Sequence, residues 1–324
     1  MASSTIASSV RHRTNKGLLA RLRGGDEISY LVTLICAVAI FVVVTLIVLE
    51  LWKNSQPAIK AFGWSFLTTT RWDPNGGKFG ALPFVYGTCV TSAIALLIAV
   101  PLGVASAVFL AEMAPPKLSN LLTFLIELLA AVPSVIYGLL GIFVLLPLIR
   151  SYLVPALKGG FGYLPLFQGS FYGVSFLSAG LVLSVMIVPF IVSVSREVLL
   201  AVPTEQREAA LALGATKWET TWDIVLPYAS TGIFGSVFLA LARALGETMA
   251  VTMVIGNTPK ITASLLSPGY SIAAVIANEF AEASGDLYVS SLILAGLVLF
   301  GLTIVINALA RILILTTARR AATA

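Results

Sequence analysis

Charged residues are scarce in this sequence. Lys, Arg, Asp and Glu together make up 11% of its 324 residues, whereas soluble globular proteins contain about 25%. That shortage excludes an ordinary soluble domain. Apolar residues reach 58% instead, and they gather in long runs. Because about 20 consecutive apolar residues cross the hydrocarbon core as a helix, the runs predict an all-α polytopic membrane protein that contacts the lipid bilayer.

Histidine and cysteine are also rare. The single histidine, His12, lies in the polar amino-terminal tail, and the two cysteines, Cys36 and Cys89, lie inside apolar runs without CxxC spacing. Zinc chemistry, redox chemistry and histidine-based catalysis are therefore not expected, and we predict no metal and no cofactor. The net charge of +5 indicates membrane orientation, since a nucleic-acid partner would need a basic stripe on a soluble face.

Six apolar runs predict six transmembrane helices. Their approximate boundaries are Ser29–Leu51, Leu82–Leu110, Leu122–Leu148, Val174–Val194, Tyr228–Ile255 and Leu287–Leu315. The first run is longer than the core of a signal peptide and no small-residue cleavage site follows it, so we interpret it as a retained span. Lys and Arg are more numerous in the segments that are cytoplasmic if both termini lie inside. This bias predicts that orientation in a plasma or inner membrane.

This topology divides the chain into segments. They are a cytoplasmic polar tail at 1–28, the first transmembrane helix at 29–51, a periplasmic loop at 52–81, a core of five further transmembrane helices at 82–315 that includes a cytoplasmic loop at 196–227, and a cytoplasmic tail at 316–324. In the last outer loop, Ser271 is placed to cap a short helix whose apolar residues follow at helical spacing.

The loop between the fourth and fifth spans is the most charged part of the core. Gly214 suits the left-handed position just past a helix end. Thr216 stands three residues before Glu219, which is the spacing of a capping box, and Pro227 is expected to end the second helix. Two short helices joined by a sharp turn are therefore predicted, at residues 205–213 and 217–225. An ordinary structured loop between two spans is the alternative.

This loop resembles the EAA signature of permeases from bacterial binding-protein-dependent ABC importers. The matching residues are Glu208-Ala209-Ala210, Gly214 after three further residues, Ile224 after nine more, and Leu226-Pro227. The resemblance implies a type I ABC importer permease fold, in which this helix-turn-helix couples the chain to a separate ATP-hydrolysing subunit. Its contact residues would be Glu208, Ala209, Ala210 and Gly214. The chain has no Walker A sequence, so we expect a transport subunit and not an enzyme.

Two charged residues lie deep in the fifth apolar run. Arg243 is roughly 22 Å along a helix from Tyr228, and Glu247 follows four residues later on the same face. A charge at that depth costs at least ~2.5–3.5 kcal/mol on insertion scales, and such residues normally face a protein interior or a water-filled path. An arginine there would attract an anion, since its planar fork matches phosphate oxygens. A self-neutralising pair without a transport role is the alternative.

Around this pair the sequence resembles the phosphate-specific, PstC-type branch of those permeases. The likeness rests on Arg243-Ala244-Leu245-Gly246-Glu247-Thr248, Ile255-Gly256-Asn257-Thr258-Pro259, Tyr86-Gly87-Thr88, Pro101-Leu102-Gly103, Leu110-Ala111-Glu112 and Val132-Pro133-Ser134-Val135-Ile136-Tyr137-Gly138. It covers the chain from about the second span to the sixth. The resemblance implies that Arg243 and Glu247 are needed for transport.

Hydroxyl groups are further candidates for the substrate path. Pro133 predicts a kink inside the third span, which would turn the hydroxyls of Ser134 and Tyr137 toward a central path. Thr88 in the second span is a candidate of the same kind. A kink that serves packing alone is the alternative.

The residues and the resemblance together predict a permease subunit of an ATP-driven importer of inorganic phosphate. The resemblance implies a second, PstA-like permease that shares the path, a pair of PstB-like ATPases in the cytoplasm and a PstS-like phosphate-binding protein outside. An importer of sulfate or molybdate is the alternative within this class. A gradient-driven transporter and a non-transporting scaffold for phosphate sensing are the alternatives outside it.

Overall fold

The computed structural model describes the backbone of residues 26–321 and the side chains of residues 29–312. Of the tails predicted at 1–28 and 316–324, residues 1–25, which include His12, and residues 322–324 lie outside the described backbone, whereas residues 316–321 continue the last helix. Within the described range the chain is predominantly helical, and its strand-like pairing is one isolated bridge between Asp73 and Lys78. The all-α prediction is confirmed. The chain divides into two compact units after Lys53.

The first unit contains one long helix, α1 (Asp26–Asn54). Its large apolar side chains, such as Ile35 and Phe41, are exposed. The hydroxyl of Thr45 donates to the Phe41 carbonyl oxygen at 2.8 Å, so this polar group is satisfied within the helix. A helix that is apolar on every side suits lipid rather than water, as predicted for the first span.

The second unit contains the remaining helices. Those of membrane length are α4 (Leu82–Met113), α6 (Ser134–Phe161), α7 (Phe176–Leu200), α9 (Lys217–Gly246) and α12 (Asp286–Ala321). The shorter ones are α2 (Gln56–Phe62), α3 (Ser65–Thr68), α5 (Pro116–Ala130), α8 (Thr204–Ala212), α10 (Met249–Ile255) and α11 (Ile272–Glu279). Together with α1, six helices within the described part of the chain are long and apolar enough to cross a membrane, which confirms the predicted number.

Helix α7 forms the centre of the second unit. It is the most buried of the membrane-length helices and packs between α4 and α9. A Cβ atom added to Gly103 of α4 would lie 2.7 Å from Cγ2 of Ile191, and one added to Gly232 of α9 would lie 2.4 Å from Cγ1 of Val198. The missing side chains let the helices approach closely, which is the main source of helix association in lipid.

The predicted third span is corrected by the structure. It was expected at 122–148, but the chain breaks after Ala130 and resumes as a membrane-length helix at Ser134. Pro133 causes the break, because proline has no N–H to donate and excludes the preceding residue from helical geometry. The kink predicted at this proline is therefore a complete interruption that separates α5 from α6.

The predicted fifth span is corrected as well. It was expected at 228–255, but α9 begins at Lys217 and ends at Gly246, and α10 starts at Met249 after two intervening residues. Between them Glu247 has an extended backbone, with φ −69° and ψ 127°. The residue predicted to lie on a continuous helical face therefore lies at a helix break.

Pro227 does not end a helix as predicted. It lies inside α9, directly after a π-helical turn at Thr220–Val225. A proline ring clashes with the carbonyl four residues earlier in a regular α-helix and leaves that carbonyl without a donor. The wider π turn, with its bonds between residues five apart, lets the helix continue through the proline. The second helix of the 196–227 loop and the fifth span are thus one continuous helix, α9.

The side opposite the 196–227 loop is closed by α11 and the segment before α4. Ser271 caps α11 as predicted, since its hydroxyl accepts the N–H of Ala274 at 3.2 Å. At the other end of α11, the Glu279 carboxylate accepts the indole N–H of Trp72 at 2.8 Å and the hydroxyl of Tyr288 at 2.7 Å. The Glu279 carboxylate therefore links α11 to α12 and to the segment before α4.

The substitution Gly87→Ala should destabilise the second unit. A Cβ at this position of α4 would lie 2.1 Å from the carbonyl oxygen of Tyr270, and backbone cannot move aside as a flexible side chain can. We expect a loss of about 1–3 kcal/mol or more, which is typical of overpacking. The matched control is Gly235→Ala in α9, where nothing lies within 4 Å of the added atom. Thermal unfolding of the two purified variants in detergent would test this, and equal stabilities would contradict it.

Candidate functional site

Two helix breaks meet at one junction of the second unit. The start of α6 packs against α10, and a Cβ added to Gly138 would lie 2.6 Å from Sδ of Met253 and 3.2 Å from Cα of Ala250. Gly138 follows the Pro133 break, and Ala250 follows the Glu247 break, each by about one turn. Broken helices that meet inside a membrane are the usual construction of transporter binding sites.

Arg243 and Glu247 do not form the ion pair that their spacing suggested. Arg243 lies in the last turn of α9 and is exposed, with no ion pair to any described residue. Glu247 is half-buried, and its Oε1 accepts the backbone N–H of Ala250 at 3.2 Å. The carboxylate therefore satisfies the start of α10, because the end of α9 at Gly246 separates the two residues. The guanidinium stays open to a ligand.

Tyr137 and Ser134 lie at the same junction. Tyr137 is buried, and its hydroxyl donates to the Leu129 carbonyl oxygen at 2.6 Å across the Pro133 break. Ser134 is half-buried, and its hydroxyl makes no hydrogen bond to a described residue. Four of the predicted path residues therefore lie next to the two breaks: Ser134 and Tyr137 after the first, and Arg243 and Glu247 at the second.

Thr88 is engaged elsewhere. It is buried, its hydroxyl donates to the Phe84 carbonyl oxygen at 2.9 Å, and it accepts the N–H of Ile272 at 3.0 Å. Both bonds are to backbone, and the second one satisfies a free donor at the start of α11. In this conformation its hydroxyl helps to hold α11 and is not presented to an open path.

The first helix and the turn of the 196–227 loop fold as their residues predicted. The first helix is α8 (Thr204–Ala212), and Gly214 has the left-handed backbone predicted for it, with φ +90°. Thr216 and Glu219 form the predicted capping box at the start of α9: the Glu219 carboxylate accepts the Thr216 N–H at 2.7 Å, and the Thr216 hydroxyl accepts the Glu219 N–H at 3.3 Å. The sharp turn between α8 and α9 is therefore held at both ends.

The outer face of this loop is accessible. Glu208, Ala209 and Gly214 are exposed, and Ala210 is half-buried. Leu213, next to Gly214, is 91% exposed. The rings of Trp218 and Trp222 on α9 lie 5.4 Å apart with more than half of each residue exposed, and they line a groove with Val104 and Phe109 of α4. Exposed apolar groups next to a smooth alanine surface mark a protein-interaction or membrane-interface surface.

Arg207 and Glu112 form a site that sequence reasoning missed. Arg207 of α8 donates through Nη2 to the Glu112 carboxylate of α4 at 2.9 Å and through Nε at 3.4 Å. It also donates to the carbonyl oxygens of Leu199, at 2.7 Å, and Val202. The available signals were positional, since Arg207 directly precedes the Glu-Ala-Ala signature and Glu112 ends a stretch that resembles the PstC-type branch.

Comparison with known proteins identifies the family. A family model described as the inner membrane component of binding-protein-dependent transport systems matches residues 99–318. The chain belongs to this family. The resemblance of the coupling loop to importer permeases is thereby confirmed.

Several similar proteins carry one name. The phosphate transport system permease protein PstC of Mesorhizobium japonicum is 46% identical over 294 residues, which cover 90% of each chain. The protein of the same name from Xylella fastidiosa (strain 9a5c) is 48% identical over 89% of this permease and 90% of its own length. A probable PstC of Methanocaldococcus jannaschii is 37% identical over 88% and 92% of the two chains.

Solved structures support the fold. A chain of a bacterial alginate ABC transporter, crystallised with an alginate-bound periplasmic protein, matches with a TM-score of 0.56 over 89% of this permease and 94% of that chain, at 16% identity. A chain of the MetNI methionine ABC transporter matches with a TM-score of 0.50, at 17% identity. At these identities the likeness concerns the fold alone, and it confirms the predicted importer-permease fold.

The left-handed turn of the coupling loop gives a test of its construction. Gly214 has φ +90° with nothing within 4 Å of an added Cβ, so a side chain there meets no clash and only backbone strain. We expect Gly214→Val to loosen α8, since a left-handed residue costs about 1–2 kcal/mol and a β-branched one more. Asn tolerates this conformation, so Gly214→Asn is the matched control.

Hydrogen exchange of residues 204–222 is the measurement. Faster exchange in Gly214→Val than in Gly214→Asn is expected. Equal exchange in the two variants would mean that the turn does not depend on the left-handed residue.

Proposed function

We propose that this chain is the permease subunit of an ATP-driven importer and that it passes inorganic phosphate. The observation that carries the proposal is the open guanidinium of Arg243 at the junction of two broken helices. A membrane-embedded cation without an acidic partner selects for an anion. The choice of phosphate among anions is supported by the relatives named phosphate transport system permease protein, which are similar over about nine-tenths of the chain.

Arg243 binds the anion in this proposal. Its planar fork offers paired N–H groups that match two oxygens of one phosphate. The hydroxyl of Ser134 lies at the same junction and has no hydrogen bond to a described residue, so it is available as a further donor. Glu247 and Tyr137 hold the two helix breaks in place. A site with one charged donor, Arg243, and one neutral donor, Ser134, holds its anion weakly enough to release it, as permeation requires.

A second permease completes the path. Arg243 is exposed in this chain, and a charge at membrane depth requires protein or a water-filled cavity around it. Apolar side chains are exposed next to the junction. They are Leu128 in the last turn of α5, Val135 in the first turn of α6, and Phe143 further along α6. A PstA-like subunit covering these apolar side chains would enclose the guanidinium between two chains.

ATP hydrolysis belongs to partner subunits in this proposal. A PstB-like pair docks on the exposed face formed by Glu208, Ala209, Ala210 and Gly214. A PstS-like protein delivers phosphate on the other side of the membrane. Both termini then lie in the cytoplasm, as the distribution of Lys and Arg favours. The loop at 52–81 is periplasmic, and the loop at 196–227 is cytoplasmic.

Substitution of Arg243 tests the site. In vesicles containing the whole transport complex, we expect Arg243→Gln to lower phosphate uptake by about tenfold to a hundredfold, the value of charge-assisted hydrogen bonds. Arg243→Lys should recover part of the activity, because it keeps the charge and loses the fork. The matched control is Arg150→Gln, since Arg150 is an exposed arginine of α6 that bonds to no described residue. Normal uptake by Arg243→Gln at normal membrane levels would refute the site.

Substrate competition and ATP depletion test the class of transporter. Unlabelled phosphate should suppress uptake of labelled phosphate, whereas sulfate and molybdate at the same concentration should not. Uptake should stop when ATP is removed and continue when the ion gradients are collapsed. Uptake that follows the gradients instead would favour a secondary transporter.

A further inference from the structure

Helix α8 is attached to α4 through one partly buried side chain, that of Arg207. The outer face of α8 is exposed. On its other side, α8 packs against the π turn of α9 at Thr220–Val225. Toward the membrane, Arg207 makes four hydrogen bonds to other elements. The side chains of Arg207 and Glu112 are only 19% and 12% exposed.

These bonds reach two different membrane helices. Glu112 lies in the π-helical turn at Phe109–Met113, which ends α4. Leu199 belongs to the last turn of α7, and Val202 follows its end. The carbonyl oxygens at a helix end have no partner within the helix, and a cation there also meets the negative end of the helix dipole. Arg207 therefore holds α4 by a carboxylate and α7 by its carbonyl end.

Other ion pairs of the second unit are local. Arg196 pairs with Glu197, the next residue, and Arg71 pairs with Asp73. The Arg207–Glu112 pair instead joins residues 95 positions apart. Its partly buried charges are screened less by salt than surface charges, and the planar guanidinium uses all three of its nitrogens, which fixes its orientation.

We propose that Arg207 is the positioning residue through which displacement of α8 also moves α4. Helices α7 and α9 move with α8 in any case, because residues 201–203 join α8 to α7 and the short turn at Gly214 joins it to α9. Helices α4 and α7 are in close contact at Gly103, so a pull on Arg207 acts on the pair as one body. The Arg207–Glu112 bond thus makes α4 the third membrane helix that moves with α8.

This role rests on the proposed function, since it requires an ATPase that acts on α8. The experiment uses the whole transport complex in vesicles and compares wild type with Glu112→Gln, Arg207→Gln and the double variant. Glu112→Gln keeps the size and one acceptor of the side chain and removes the charge. The matched control is Glu205→Gln, because Glu205 is an exposed carboxylate of the same helix that bonds to no described residue.

Three quantities are measured for each complex: the amount of ATPase that co-purifies, the rate of ATP hydrolysis, and the phosphate imported per ATP hydrolysed. We expect co-purification and hydrolysis to persist in Glu112→Gln, with phosphate imported per ATP lowered about tenfold, a size typical of substitutions that weaken coupling between sites. The double variant should be no worse than Arg207→Gln, since both substitutions remove the same ion pair. Arg207→Lys, which cannot reach all the acceptors, should be intermediate.

The outcomes separate this role from a merely structural one. A structural bond would lower the amount of assembled complex and leave phosphate per ATP unchanged in the complexes that remain. Unchanged phosphate per ATP in Glu112→Gln, or in any Arg207 variant that still assembles, would therefore overturn the proposal. A wild-type complex that imports no phosphate with ATP would instead refute the proposed function itself.

Discussion

The hydrogen bonds of the backbone constrain this structure more than any other interaction. Inside lipid every N–H and C=O group needs a partner from the protein, so a helix can be interrupted only where side chains replace the lost bonds. The chain interrupts two helices, at Pro133 and at Glu247, and brings the interruptions together. Tyr137 satisfies a carbonyl beside the first break, and Glu247 satisfies an N–H beside the second. At the candidate transport site, side chains therefore supply the hydrogen bonds that the interrupted helices cannot make.

Arg207 and Arg243 differ in the hydrogen-bond acceptors around their guanidinium groups, and this difference gives them different roles. Arg207 has a carboxylate and two carbonyl oxygens around its guanidinium, and it is mostly buried. The nitrogen atoms of Arg207 already donate to these protein oxygens. The residue is therefore suited to hold helices together and not to bind substrate. Arg243 is exposed and has no acidic partner in the described chain. Its donors remain available, and the neighbouring carboxylate that might have filled them serves the backbone of α10 instead.

The two ends of the second unit are constructed differently. At the end with the coupling loop, π turns terminate α4 and interrupt α9, and α8 contacts both regions. π turns are unusual in proteins and commonly occur at functional sites. At the opposite end, Glu279 joins α11, Trp72 and α12 through two hydrogen bonds. The exposed face of the 196–227 loop thus lies beside irregular helix turns, and π turns also occur within α6 at Gly141–Leu145 and Ile149–Leu153. The opposite end is held by a half-buried polar cluster.

The sequence alone determined the features that depend on composition and local chemistry. Long apolar runs predicted the number of membrane-length helices, because burial in lipid depends on the residues of each run by itself. Gly214, Thr216 and Ser271 predicted their turn and caps, since each acts on backbone groups within a few residues. The loop signature identified the family for the same reason, as its residues are close together in the chain.

Only the tertiary structure decided how distant residues meet. The Arg207–Glu112 bond spans 95 positions, and no local pattern signals such a pairing. The break at Glu247, which contains no proline, also escaped prediction, because the apolar residues around it favour a helix, although Gly246 directly before it is a weak helix former. The pairing of Arg243 with Glu247, reasonable on a continuous helix, failed for this reason. Local sequence specifies which segments become helices, and packing between segments specifies where they stop and which charges remain free.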